Sequence, residues 1–189
     1  VASAPPPPGK VGFHHYFEHP TALPVAHRAL RDGGVLAVAG ELGYSAAGFA
    51  LWRNGIDGFE HLRSRHLAPQ PPYGQGRAAA EAGAHAMTDV SDGLVADLGH
   101  LATASGVTID LDGRALRADV EEVALAAHAA GVDPWALVLG GGEDHALVAC
   151  FPDAPPPGWR VIGSVRDGAG EVLLDGAVWS GSAGWQSFD

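Results

Sequence analysis

"AMTDVSDGLVADLGH", residues 86–100, changes its hydropathy period partway along. It opens on apolar Ala86 and Met87, as a short strand would. From Leu94 the apolar positions are Leu94, Val95, Leu98, Leu101 and Ala102, the spacing of one helical face. Gly106 is placed to stop that helix. The stretch therefore predicts a strand handing over to a helix, with a short loop between them. Asp89, Asp92 and Asp97 crowd into nine positions around that loop.

Like charges at such spacing repel unless something relieves them. One reading gives a carboxylate to the helix as a cap, with Ser91 and Asp92 at the capping positions, and leaves the other to solvent. The other reading gives Asp89 and Asp92 to a cation. Gly93 lets the backbone come close to a ligand, and a helix N-terminus offers N–H groups to an anion. Carboxylates, amides and the Ser91 hydroxyl together suit a phosphate carried with a hard cation such as Mg²⁺.

Outward from this loop the chain alternates strand and helix signals. "GGVLAVAG" (33–40) is a short apolar run bounded by glycines, which predicts a buried strand. Residues 43–55 follow as an alanine-rich helix with Ser45 as cap and Gly55 as stop. A proline-rich connection (66–76) leads to a short helix and strand over 76–86. "VTIDLD" (107–112) alternates as a strand does, and 117–131 is helical, ending at Gly131. In 135–151 three glycines separate two apolar, strand-like runs, and 159–176 reads as a hairpin turning near 167–170. The glycines belong to "GGGEDHA" (140–146), a second acidic loop carrying Glu143 and Asp144. It is either a flexible loop with solvated acids or one shaped to admit a ligand. It is not a Walker loop, because the lysine and the Ser or Thr are missing.

Composition bounds the function. The chain has 189 residues, 47% of them apolar, enough for one domain with a real core. Its net charge of −11 argues against general nucleic-acid or membrane-surface binding. Cys150 is the single cysteine, so no internal disulfide forms, and a cytoplasmic setting is expected. No long apolar span or basic-then-apolar leader is present. Residues 1–22 contain four consecutive prolines (Pro5 to Pro8) and His14, His15 and His19, and are expected to be a disordered tail. The domain is expected to occupy 23–189.

The two acidic loops together carry a resemblance. "MTDVSDGLVADLGHLATASGV" (87–107) followed by "VLGGGEDHALVACFP" (138–152) resembles the C-terminal half of the thiamine-monophosphate kinases. "LAVAGELGYSAAG" (36–48) and the closing "GWQSF" (184–188) fit the same pattern, so the resemblance covers about 23–189. "DVSDGL" alone is shared with a wider superfamily that includes aminoimidazole ribonucleotide synthetase, selenophosphate synthetase and a hydrogenase maturation protein. "GGEDHAL" and the aromatic end narrow the resemblance to the thiamine kinases.

The resemblance implies an α+β fold, three-layered α/β/α with a mixed sheet, like the C-terminal domain of aminoimidazole ribonucleotide synthetase-related proteins. It implies transfer of the ATP γ-phosphoryl to thiamine monophosphate, with Mg²⁺ screening the phosphates. Matched position by position, Asp89 and Asp92 are expected to bind Mg²⁺, Ser91 to contact ATP, and Glu143 and Trp185 to contact the thiamine substrate. A carboxylate and a π-face both attract a cationic ring. The family's ATP-contacting arginine falls on His27, with Arg28 beside it. The family's N-terminal domain, which carries further metal-binding aspartates and the main homodimer interface, has no counterpart in residues 1–22. The chain is thus expected to be a C-terminal part that is inactive alone. The alternatives are a non-catalytic nucleotide- or thiamine-binding module, or another ATP-dependent enzyme of the superfamily. The partners expected are ATP and thiamine monophosphate, with no nucleic acid and no membrane.

Overall fold

The computed structural model describes residues 34–181 and Gly184. The expected tail at 1–22, the pair His27 and Arg28, and Trp185 lie outside the described residues.

The centre of the fold is β1 (Gly34–Ala39), the glycine-bounded run expected to be a buried strand. Its side chains alternate, Leu36 and Val38 facing one side of the sheet and Ala37 and Ala39 the other. Around it stand β2 (Ala86–Asp89), β3 (Val107–Leu111), β4 (Leu147–Phe151), β5 (Arg160–Asp167), β6 (Glu171–Leu174) and β7 (Ala177–Val178). Among the described residues they form one seven-stranded sheet in the order β2-β4-β1-β5-β3-β6-β7. All pairings are antiparallel except β3 with β6, so the sheet is mixed.

Helices cover both faces, unequally. The Leu36/Val38 face packs under α1 (Tyr44–Arg53), α2 (Glu60–Leu67), α4 (Leu94–Ser105), α5 (Arg117–Ala130) and α6 (Pro134–Gly140). Leu94, Leu98, Leu101 and Ala102 of α4 are buried there, the face that its period predicts. Among the described residues the opposite face carries only the short α3 (Gln75–Glu81), whose Ala79 joins Ala37, Ala39, Ala149 and Phe151. Trp159 closes this smaller core, its ring edge-on to Phe151 at 5.3 Å. The expected α+β mixed sheet with helical layers is thus observed.

Two expectations fail. The apolar run after Trp135 is a helix, α6, rather than a strand. Asp133 caps it by accepting the Trp135 N–H at 3.1 Å, and Pro134 stands at the first turn. Residues 159–176 do not pair as a hairpin, because β3 lies between β5 and β6 and bonds to both.

Candidate active site

Beyond the last β2–β4 pair, Asp89 opposite Leu147, the two acidic loops continue the ladder. The Val90 N–H donates to the Ala146 carbonyl at 2.8 Å, and the His145 N–H donates to Val90 at 3.0 Å. The Glu143 N–H then donates to the Ser91 carbonyl at 2.8 Å. The loops therefore dock main chain on main chain, and this is what their glycines serve. Gly93 has φ +134°, and a Cβ there would lie 2.9 Å from the Gly140 carbonyl oxygen. A Cβ on Gly142 would collide with the Ser91 carbonyl oxygen. The close approach that Gly93 permits is thus to the neighbouring loop.

Neither Ser91 nor Asp92 caps α4. The cap residue is Gly93, without a side-chain bond. Instead Asp97, one turn inside the helix and 7% exposed, turns back. Its Oδ2 accepts the N–H groups of Ser91, Asp92 and Gly93 at 3.0, 3.1 and 3.1 Å. Those three amides are therefore not open to an anion. Burial pushes the Asp97 pKa up, against the pull of the three amides.

The second loop repeats this device at long range. Asp144 is 9% exposed, and its carboxylate accepts the Gly43 N–H at 2.6 Å and the Ser45 N–H at 2.8 Å. These are free amides at the start of α1, so Asp144 does the capping that the sequence assigns to Ser45. The Ser45 hydroxyl instead lies 3.1 Å from His66 Nδ1. Burial, reinforced by Glu41, raises the Asp144 pKa to about 7.

With Asp97 and Asp144 holding backbone, the other acids are left open. Asp89 and Asp92 accept no backbone N–H among the described residues. Asp92, Ser91 and Glu143 line one cleft of about 700 Å³, whose apolar wall includes Phe49 and Leu137. Asp89 stands outside that lining but is linked to it. His145 Nδ1 is 3.8 Å from Asp89 Oδ2, and His145 Nε2 is 3.3 Å from Glu143 Oε2. Glu143 (φ +64°) and His145 (φ +53°) are both left-handed without being glycine. Such backbone costs about 1–2 kcal/mol per residue, and the docking bonds of the two loops hold it in place. Gly184, next to Trp185, also lines the cleft. Sequence reasoning missed Asp97, Asp144 and His145 as builders of the site. Asp97 left a signal as an acid in a helical first turn, and Asp144 as an acid of the glycine-rich loop.

Among the described residues no three His, Cys, Asp or Glu side chains are placed to enclose a metal by themselves. Two open carboxylates are nonetheless the donor set that Mg²⁺ uses when phosphates and water complete its shell. No single helix among the described residues is long and apolar enough to cross a membrane.

A mixed sheet with its acidic loops gathered at one cleft defines an α+β domain of the kind to which "DVSDGL" points. Residues 31–175 match the family model described as AIR synthase related protein, C-terminal domain, and the chain belongs to that family. It is 63% identical over 165 residues to the thiamine-monophosphate kinase of Mycobacterium tuberculosis (strain ATCC 25618 / H37Rv), covering 87% of this chain and 50% of that protein. It is 45% identical over 166 residues to the thiamine-monophosphate kinase of Corynebacterium glutamicum, covering 84% of this chain and 50% of that one. The fold matches the solved structure of AaThiL complexed with AMPPCP and TMP, with TM-score 0.66 and 31% identity, covering 82% of this chain and 52% of that chain. The chain spans about half the length of the curated relatives it matches. The resemblance carried by the two acidic loops is borne out.

Proposed function

We propose that this chain forms the C-terminal part of a kinase that transfers the γ-phosphoryl of ATP to thiamine monophosphate, giving thiamine diphosphate. The observation that carries the reading is the shared cleft, in which Ser91 and Asp92 of one loop meet Glu143 of the other. Asp89 and Asp92 would hold Mg²⁺, which when bound neutralises charge on the phosphates. The Ser91 hydroxyl would contact ATP. Glu143 would face the cationic thiazolium, against the apolar wall of Phe49, with Trp185 packing on the substrate.

The chemistry asks little more of the side chains. An oxygen of the thiamine phosphate attacks the γ-phosphorus, the bond to the β-phosphate bridging oxygen breaks, and ADP leaves. The attacking oxygen is already anionic near neutral pH, so no side chain has to remove a proton. Positioning and charge neutralisation then carry the catalysis.

The test is calorimetric titration of thiamine monophosphate into the 189-residue chain with Mg-AMPPCP, alongside a kinase assay with Mg-ATP. Saturable binding of thiamine monophosphate, weakened at least tenfold or so by Glu143→Gln, is expected. Little turnover is expected from this chain alone, since loss of one electrostatic stabiliser commonly costs about a hundredfold. Failure to bind thiamine monophosphate overturns the reading. Binding without turnover, even when the remaining half of a relative is supplied, favours a non-catalytic binding module.

A further inference from the structure

The cleft has two ends of different chemistry. The acidic end, with Asp92 and Glu143, meets α1 near its start, where a Cβ on Gly141 would lie 2.6 Å from Ala46 Cβ. At the other end Arg53 and Asn54, the last residue of α1 and its C-cap, also line the cleft. From Ala46 to Arg53 the helix rises about 10 Å, at roughly 1.5 Å per residue. Between the two ends the helix contributes apolar Phe49 and Ala50, with the His66 ring 5.2 Å from that of Phe49.

Arg53 is placed to meet a ligand. None of the ion pairs among the described residues uses it. Its guanidinium is a set of donors with no acceptor. Asn54 complements it. Its Nδ2 donates to the Ala50 carbonyl at 2.8 Å, and Oδ1 is the acceptor of the same amide. Adjacent residues thus offer a donor beside an acceptor, at the far end of the cleft from the acidic loops.

The geometry points to Arg53 and Asn54 as specificity-determining residues that read the aminopyrimidine ring of thiamine monophosphate. A ring nitrogen accepts from Arg53, and the exocyclic amine donates to Asn54 Oδ1. This inference rests on the substrate reading proposed above and adds the direction in which the substrate lies. The phosphate points toward Asp89 and Asp92, the thiazolium sits beside Glu143, and the neutral pyrimidine reaches Arg53. The reverse order would set the cationic thiazolium against a guanidinium. A site that pairs a substrate's polar groups discriminates strongly against an analogue that leaves its own groups unpaired.

The experiment is calorimetric titration of thiamine monophosphate and of oxythiamine monophosphate, whose exocyclic amine is replaced by oxygen. Wild type, Arg53→Met and Asn54→Leu are compared, with melting temperatures as a check on folding. Both residues are exposed, so their substitution leaves the core intact. Wild type is expected to prefer the amine form by about tenfold or more. Arg53→Met is expected to weaken thiamine monophosphate by about tenfold, and Asn54→Leu to erase the preference. Unchanged affinity and preference in both folded variants overturns the inference while leaving the substrate reading standing. A change confined to one variant overturns the role of the other residue. Wild type that binds no thiamine monophosphate overturns the substrate reading, and this inference with it.

Discussion

The loop at 89–97 and the loop at 140–145 use the same arrangement over very different distances. In each, one buried aspartate accepts backbone N–H groups and leaves an acidic neighbour, Asp92 or Glu143, open to the cleft. Asp97 works locally, closing onto amides four to six residues back along its own chain. Asp144 works across the fold, reaching amides 99 and 101 residues away at the start of α1. The difference teaches where rigidity comes from. Asp97 shapes one loop, whereas Asp144 ties the cleft's acidic loop to the helix that forms its wall.

If that contrast is right, Asp144→Ala has the largest effect. It strands two amides at a helix end, and a loss of about 3 kcal/mol of stability is expected, with binding at Glu143 impaired as well. Urea denaturation monitored by circular dichroism checks this. Asp97→Ala is expected to cost less, about 2 kcal/mol, because a local loop relaxes toward water more readily. A larger loss for Asp97→Ala than for Asp144→Ala would break the contrast.

Titration sharpens it. Burial raises the Asp144 pKa from 3.8 to about 7. The folded state then binds the proton more tightly than the unfolded chain. This contribution to stability is full below about pH 4 and is lost as pH rises through about 7. Stability should fall across that window by at most about 1.4 kcal/mol per pH unit. In Asp144→Asn that component should vanish, as denaturation midpoints measured at successive pH values will show.

The open acids should behave in the opposite way. Asp92→Asn and Asp89→Asn are expected to change metal-free stability by less than about 0.5 kcal/mol, since neither carboxylate caps a helix. The stabilisation that Mg-AMPPCP adds to wild type should shrink in both, because a ligand stabilises the fold according to its affinity. Melting scans with and without Mg-AMPPCP test this. A shift that survives unchanged in both variants would refute the metal assignment.

Much of this was legible in the residues. The period of Leu94, Leu98 and Leu101 and the stops at Gly106 and Gly131 locate α4 and α5, because helix faces and left-handed glycines are local signals. The run "WALVLG" misleads, since five apolar residues and a glycine show no period long enough to separate strand from helix. The cap Asp133-Pro134 was the local clue. The separation of β5 from β6 is not local at all, because β3 enters between them from about fifty residues upstream. The glycines of the second loop were conspicuous, but what approaches Gly142 is the backbone of Ser91, and no spacing rule shows that. Asp144 was visible as an acid, but its bonds to Gly43 and Ser45 appear only in the fold.

The division between buried acids that build and open acids that bind is tested most directly by one paired measurement. Thiamine monophosphate is titrated, with Mg-AMPPCP present, into wild type, Asp92→Asn and Glu143→Gln, and the ligand-free melting temperature of each is recorded. Both variants are expected to melt as wild type does and to bind the substrate about tenfold or more weakly. Variants that melt early, or that melt normally and bind as wild type does, would contradict it.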